Sequence, residues 1–483
     1  MSYYRRSLRK SIDWKLVACY LLLVLIGWLN IFAASHASEA AGILDFATRS
    51  GKQFVWILSG LGLGALILFI FNPKLWEVIS APAYLLVFIL LVAVIFVGAD
   101  IKGSHSWFSL GPVSFQPAEI SKITTSLVLA AVMSRQGFKM SNPRHFAITA
   151  AVILLPMLTI IAEKETGSAL VYIGFIFVLY REGFSGWFLA SVGLIILLFI
   201  LTLSASPYVA LILLAGSVSF CWSVENRKIK RWVFREVPVI VLMAFLPSIW
   251  RAAGGEEPSG FWTVVTPMRI LLGGLLLSIP WHMIVAYKKK SLSRWAAILA
   301  LTVGIGMIYS TEFIFNDVLK DHQRKRIEVL LGMTDDPSGV GYNVHQSMIA
   351  IGSGGFAGKG FLHGTQTTYG FVPEQSTDFI FCTVGEEWGF LGCLTVILLY
   401  TFLIVRIIMD AERCREAFTR IYGWCVASII FMHLFINIGM TIGLMPVIGI
   451  PLPLLSYGGS SLWAFTILIF IFLALYKDEN KYF

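Results

Sequence analysis

Residues 14–34, WKLVACYLLLVLIGWLNIFAA, carry one charged side chain, Lys15, near their start. About 20 residues of this kind, rising ~1.5 Å each as a helix, cross the ~30 Å hydrocarbon layer of a bilayer. A basic lead-in, YYRRSLRKSIDWK (3–15), precedes the run, and no small-residue cleavage site ends it. The expectation is a retained first span, not a cleavable signal.

Working outward, similar apolar runs occur at 13–34, 53–71, 80–99, 118–134, 146–162, 168–182, 186–204, 207–224, 236–250, 264–287, 294–313, 378–405, 421–445 and 458–476. The chain is 57 % hydrophobic and 13 % charged, where soluble proteins are about 25 % charged. Its mean hydropathy is +0.79. The expected fold is an all-α polytopic integral membrane protein of about 14 transmembrane helices. Short alternating segments of the kind that build membrane barrels are absent from the sequence.

The net charge of +9 points to a membrane and not to nucleic acid, because the basic residues cluster in short loops. With the N-terminus in the cytoplasm, five basic loops fall inside. They hold Arg135/Lys139/Arg144, Arg181, ENRKIKRWVFRE (225–236), KKKSLSR (288–294) and RIIMDAERCREAFTR (406–420). Both termini are then cytoplasmic. The six cysteines show no CxxC spacing, which supports neither a disulfide framework nor a zinc site. No P-loop, GxSxG, HExxH or EF-hand pattern occurs, and the histidines lack metal-ligand spacing.

One outside loop, 311–377, is far longer than the others, and a structured, partly re-entrant cap is expected from its glycines and apolar anchors. Near its middle TDDPSGVGYN (334–343) pairs Asp335 with Asp336 ahead of a turn. Locally, Asp336 before Pro337 reads equally as a turn-starting acid. Arg324, Lys325 and Arg326 form a basic cluster on this outer side, suited either to phosphate or to lipid headgroups. Charged groups beside or inside spans are the other candidates, since each costs at least about 2.5–3.5 kcal/mol at the membrane centre. In QPAEISK (116–122) Glu119 and Lys122 share a helix face at i, i+3, as a surface anchor or as the wall of a polar cavity. In AEKETG (162–167) Glu163 and Lys164 read as a solvated turn, and Glu165 as an anion at a helix start. Glu374, Thr377 and Asp378 stand where the outer loop returns to the membrane. Glu386 and Glu387 lie nearly three turns into the following span, a depth that demands partners.

Several long blocks resemble one family. NIGMTIGLMPVIGIPLPLLSYGGSS (437–461), DPSGVGYNVHQSMIAIGSGG (336–355), GKGFLHGTQ (358–366), FVPEQSTDFIF (371–381) and QPAEISK look like the shape, elongation, division and sporulation (SEDS) proteins. The HGTQ segment favours the rod-shape RodA branch over the division-type FtsW branch. The resemblance implies a peptidoglycan glycosyltransferase that polymerises lipid II into glycan strands at the outer face of the bacterial cytoplasmic membrane. It implies a class B penicillin-binding protein as transpeptidase partner, with MreC- and MreD-type elongation proteins and membrane lipids around it. It also implies Asp336, matched by its D-P-x-G-x-G-Y context, as the general base. Glu119, Lys122, Glu165, Arg324, Arg326, Gln346, Ser347, Lys359, Glu374, Thr377, Asp378, Ser456, Tyr457 and Gly458 are its substrate-binding candidates. Lys122, Arg324, Arg326 and Lys359 are those suited to a leaving diphosphate. A divalent cation, Mg or Mn, is the one cofactor left room for.

Two departures stand out. Glu165 in KETGS replaces the family's Asp, with Lys164 and Thr166 in place of Pro and Leu. The family core has about ten spans, so 183–293 reads as an insertion of about four more. The resulting organisation is 1–182 core, 183–293 insertion, 294–310 core helix, 311–377 extracytoplasmic catalytic loop and 378–483 core. A lipid II flippase or other transporter, and a non-enzymatic scaffold, are the rival functions.

Overall fold

The computed structural model describes residues 11–36, 42–101, 104–110, 113–184, 186–225, 227–252, 266–290, 292–319, 324–325, 327–328, 331, 333 and 341–480. Asp335, Asp336 and Arg326 lie outside the described residues. All fourteen apolar runs fall on helices. These are α1 (Trp14–His36), α2 (Arg49–Phe69), α3 (Lys74–Val97), α4 (Pro117–Met133), α5 (Pro143–Ala162), the broken pair α6 (Thr166–Val171) and α7 (Phe175–Arg181), α8 (Gly186–Ser204), α9 (Pro207–Glu225), α10 (Ile229–Ala252), α11 (Pro267–Lys289) and α12 (Leu292–Phe313). Two short helices, α13 (Tyr342–Ser353) and α14 (Thr365–Thr368), precede α15 (Ile380–Arg413), α16 (Ala417–Thr441) and α17 (Gly459–Asn480).

Ten of these helices are long and apolar enough to cross a membrane. Many of their large apolar side chains are exposed, for example Val78, Leu85, Leu86, Ile89, Phe96 and Val97 of α3. Bare apolar area costs about 25 cal/mol per Å² in water, so this surface belongs against lipid. The chain is an integral membrane protein. One departure from an all-helical chain is a small antiparallel sheet of β1 (Ala99–Ile101), β2 (Ser104–Leu110) and β3 (Val113–Phe115), with Leu110 opposite Val113.

The chain divides into two compact units, one from 1–184 with 336–483 and the other from 185–335. In the first, α17 lies along α2, α4 along α3 and α16, and α15 along α1 and α16. Its core includes Leu16, Leu23, Leu129, Ile421, Ile429, Ile469 and Leu473, all fully buried. The second unit holds α8 to α12 around α9, with Leu198, Leu211, Leu214 and Ile308 at its centre. The helix expected at 294–310 is α12, and it packs inside this second unit.

Helix α15 is two helical segments joined across a kink at Gly389, where its hydrogen-bond ladder is interrupted. Gly389 has φ 64° and ψ −157°, a conformation only glycine adopts readily. There the chain at 354–360 presses into the helix, so that a Cβ on Gly389 would collide with the backbone of Gly358. The interrupted ladder is satisfied by this visiting segment. The amides of Lys359 and Gly360 donate to the carbonyls of Glu386 and Glu387, and those of Phe390 and Leu391 donate to Gly355 and Phe356. An unpaired backbone group is expensive away from water, so a broken span needs such a replacement.

Candidate functional site

Helix α4 starts at Pro117, whose missing N–H costs nothing at a first helical position. Its first turns are buried even though they carry charge, and Glu119 and Lys122 are only 4 % and 2 % exposed. The i, i+3 spacing brings Lys122 Nζ within 2.8 Å of Glu119 Oε1. The same ammonium donates to His433 Nε2 at 2.9 Å and sits 5.3 Å from the centre of the Phe465 ring. A lysine only donates, so His433 Nε2 accepts and its proton is on Nδ1, which lies 3.2 Å from the Pro451 carbonyl. Glu119 Oε2 has no hydrogen-bond partner.

The histidine ties this pair to the non-helical stretch between α16 and α17. One turn beyond His433 on the same face, Asn437 Nδ2 donates to the Ile450 carbonyl at 2.6 Å and to the Asp378 carbonyl at 2.8 Å. Two side chains of α16 thus hold the successive carbonyls of Ile450 and Pro451. The segment 450–458, which turns at 453–457, is also stitched to 376–378. Ser456 Oγ donates to the Thr377 carbonyl at 2.6 Å and accepts from the Leu452 amide at 2.8 Å. The Tyr457 amide donates to the Ser376 carbonyl at 2.8 Å, and the Gly458 amide to Gln53 Oε1 at 3.2 Å. Arg49 Nη1 donates to Ser376 Oγ at 2.7 Å. Thr377 Oγ1 donates to Glu374 Oε2 at 3.1 Å, and Glu374 itself has a positive φ of 52°. Strain of that kind persists only where surrounding contacts enforce it.

A second anchor lies on α15. The carboxylate of Glu386 is fully buried and closes off the start of α14. It accepts from the amides of Thr365, Gln366 and Thr367 at 2.8, 2.9 and 2.9 Å. Lys359 Nζ donates to the same carboxylate at 2.6 Å and to Thr365 Oγ1 at 2.7 Å. Gln375 Nε2 then joins the Thr367 carbonyl to that of Ala34. The expected cost of Glu386 at depth is offset by charge-assisted bonds.

Several candidates from the sequence therefore converge. Glu119, Lys122, Asp378, Thr377, Glu374, Ser456, Tyr457 and Gly458 share one connected polar network in the first unit. Ser347 is buried beside it and donates to the Thr441 carbonyl at 2.7 Å. Gln346, half-buried on α13, neighbours Ser347 in sequence. Lys359 belongs to the Glu386 anchor. Arg324 lies in the second unit and its Nε pairs with Glu328 Oε1 at 3.2 Å, one turn away. Glu165 stands at the N-terminal boundary of α6 but makes no side-chain capping bond there; Ser106 Oγ donates to its Oε2 at 3.3 Å.

Glu163 is a correction to the solvated turn read from the sequence. It is 1 % exposed, and neither carboxyl oxygen has a hydrogen-bond partner, whereas Lys164 is exposed. Burial first, and the nearby Glu165 second, push its carboxyl up from 4.5 to about 8. A protonated carboxyl in the fold competes with an ionised one in the unfolded chain. Stability from this group is thus full below about 4.5, falls as pH rises, and is lost above about 8. Glu163→Gln is expected to flatten that fall. Melting temperatures of the two proteins should agree at low pH, part as pH rises from about 4.5 and keep their full separation above about 8, with the variant higher; profiles parallel throughout would refute the assignment.

Sequence reasoning missed His433, Asn437 as a ligand of two carbonyls, and the donors that meet Glu386. A histidine within an apolar helix, four residues before an asparagine, was the available signal for the first two. Among the described residues no group of three or more His, Cys, Asp or Glu side chains is placed to hold a metal ion.

The family profile described as "Cell cycle protein", for FtsW, RodA and SpoVE, matches residues 13–231 and 272–481. The chain belongs to this family. Between its two blocks the match leaves out 232–271, a shorter stretch than the insertion expected at 183–293. Peptidoglycan glycosyltransferase MrdB of Escherichia coli K12 is 31 % identical over 391 residues, 81 % of this chain and 75 % of that protein. Peptidoglycan glycosyltransferase RodA of Treponema pallidum is 29 % identical, covering 93 % of this chain and 94 % of that protein. A solved structure described as a peptidoglycan synthase complex coordinating polymerisation and crosslinking aligns with a TM-score of 0.59 and 23 % identity. That alignment covers 97 % of this chain and 98 % of its own, and speaks for the fold alone.

Proposed function

We propose that this chain is a peptidoglycan glycosyltransferase of the RodA type, polymerising lipid II into glycan strands during cell elongation. The observation that carries this is identity to peptidoglycan glycosyltransferases along most of the chain, in a protein whose segments 116–122, 371–381 and 437–461 meet in one polar network. In the reading proposed here, all fourteen apolar helices span the membrane, both termini are cytoplasmic and the site faces outward.

The acceptor's GlcNAc O4 hydroxyl attacks the anomeric carbon of the lipid-linked donor. The bond to the diphosphate breaks as the new β linkage forms, with inversion in one displacement. Asp336 takes the hydroxyl proton as the bond forms. The leaving lipid diphosphate carries away the electron pair and needs positive charge. Lys122 and Lys359 are held by Glu119 and Glu386, so their expected part is in organising the site around 374–378 and 450–458. Arg324, paired with Glu328 but more exposed than either lysine, and Arg326 are assigned to the diphosphate. Among the described residues no donor set for Mg or Mn is formed by His, Cys, Asp or Glu side chains.

The partner proposed is a class B penicillin-binding protein, whose transpeptidase would cross-link the strands, with MreC- and MreD-type proteins nearby. In this reading the insertion lies within 183–293 and adds spans to a ten-helix core.

The test is purified protein with lipid II in liposomes, with and without the transpeptidase, resolved for glycan strands. Strands are expected in both arms and more in the second. Movement of lipid II across the bilayer without strands would support the transporter instead, and neither product would support the scaffold.

A further inference from the structure

The second unit contains a cavity of about 570 Å³ between α9, α10, α11 and α12. Most of its wall is apolar, including Ile212, Met243, Leu271, Leu275 and Leu301. Its charged groups gather at one end, near the turns that join α9 to α10 and α11 to α12. There Arg235, Glu236, His282 and Arg294 line it. Trp222 forms part of the same rim, with Arg294 Cζ 4.9 Å and Lys228 Nζ 5.6 Å from its ring centre.

We propose that this cavity binds an anionic phospholipid, with the headgroup phosphate at Arg235 and Arg294 and an acyl chain along the apolar wall. Three observations point there. Two arginines and one carboxylate line this end, so the mouth carries a net positive charge. Among the described residues neither Arg235, Lys228 nor Arg294 forms an ion pair, so guanidinium donors remain for a phosphate. The cavity runs from Ile270 to His282 along α11, about 18 Å at ~1.5 Å per residue. That is close to one leaflet of a ~30 Å hydrocarbon layer.

Basic residues at cytoplasmic loops are ordinary, and most of those in 225–236 and 288–294 need no further account. Arg235 and Arg294 differ because they line a cavity whose other walls suit hydrocarbon. A free phosphate would use the mouth and leave the apolar length unfilled. A basic pocket between helices on the cytoplasmic side is the arrangement that recognises acidic lipid headgroups.

The experiment uses the full chain released from nanodiscs of phosphatidylcholine with or without phosphatidylglycerol, and native mass spectrometry counts the retained lipids. Phosphatidylglycerol is expected to be retained selectively and to raise the melting temperature, while inorganic phosphate at the same concentration does neither. Arg235→Gln with Arg294→Gln should weaken retention about tenfold or more. Ser278→Trp, which fills the cavity and keeps both arginines, should also abolish it. Equal retention of the two lipids by the unaltered chain overturns the proposal whatever the variants do. Protection by phosphate alone, or full retention in Ser278→Trp, overturns the acyl-chain site.

Discussion

Asp336→Asn is expected to insert, fold and melt as the unaltered chain does while its lipid II polymerisation falls by ~10²–10⁴-fold. The two side chains have nearly the same shape. An amide oxygen still orients a hydroxyl by accepting its hydrogen bond, but it does not take the proton. The loss should therefore fall on turnover, with substrate retention little changed. Asp335→Asn is the internal control, because the family motif aligns only the acid directly before Pro337. It should keep most of its activity. Strand formation from lipid II, measured beside the melting profile, checks both. Near-normal polymerisation by Asp336→Asn would falsify the assignment of the base.

Each long apolar run became a helix, because an apolar stretch in lipid has almost no other way to satisfy its backbone. The pairing of Glu119 with Lys122 was equally legible, since helical periodicity alone sets them on one face. The need for a partner at Glu386 was legible too, but the partner was not. Three of its donors are backbone amides at 365–367, and a backbone amide has no signature in the sequence. The break at Gly389 stayed hidden for the same reason, because its hydrogen bonds go to other main-chain groups more than 25 residues away. His433 was visible as a histidine in an apolar helix, yet its partner Lys122 comes from α4, far back in the chain. Sequence shows that a buried charge must be met; only the folded chain shows what meets it.

That distinction makes Lys122 the most informative position for stability. Lys122→Met removes the one ammonium that meets both Glu119 and His433 in a region almost sealed from solvent. Glu119 already has one oxygen without a partner and would then be a buried carboxylate with no counter-charge. Removing one member of a buried pair costs about 3–5 kcal/mol. The variant is expected to melt far below the unaltered chain in the same detergent. Adding Glu119→Gln should recover much of the loss, because replacing both charges of a buried pair is often close to neutral. The double variant also separates structure from chemistry. If the pair only braces α4 against α16 and α17, a refolded double variant polymerises lipid II normally. The network running through His433 and Asn437 to the Asp378 carbonyl argues for the other result: restored melting with polymerisation still low. Restored melting with full activity would reduce Glu119 and Lys122 to a brace.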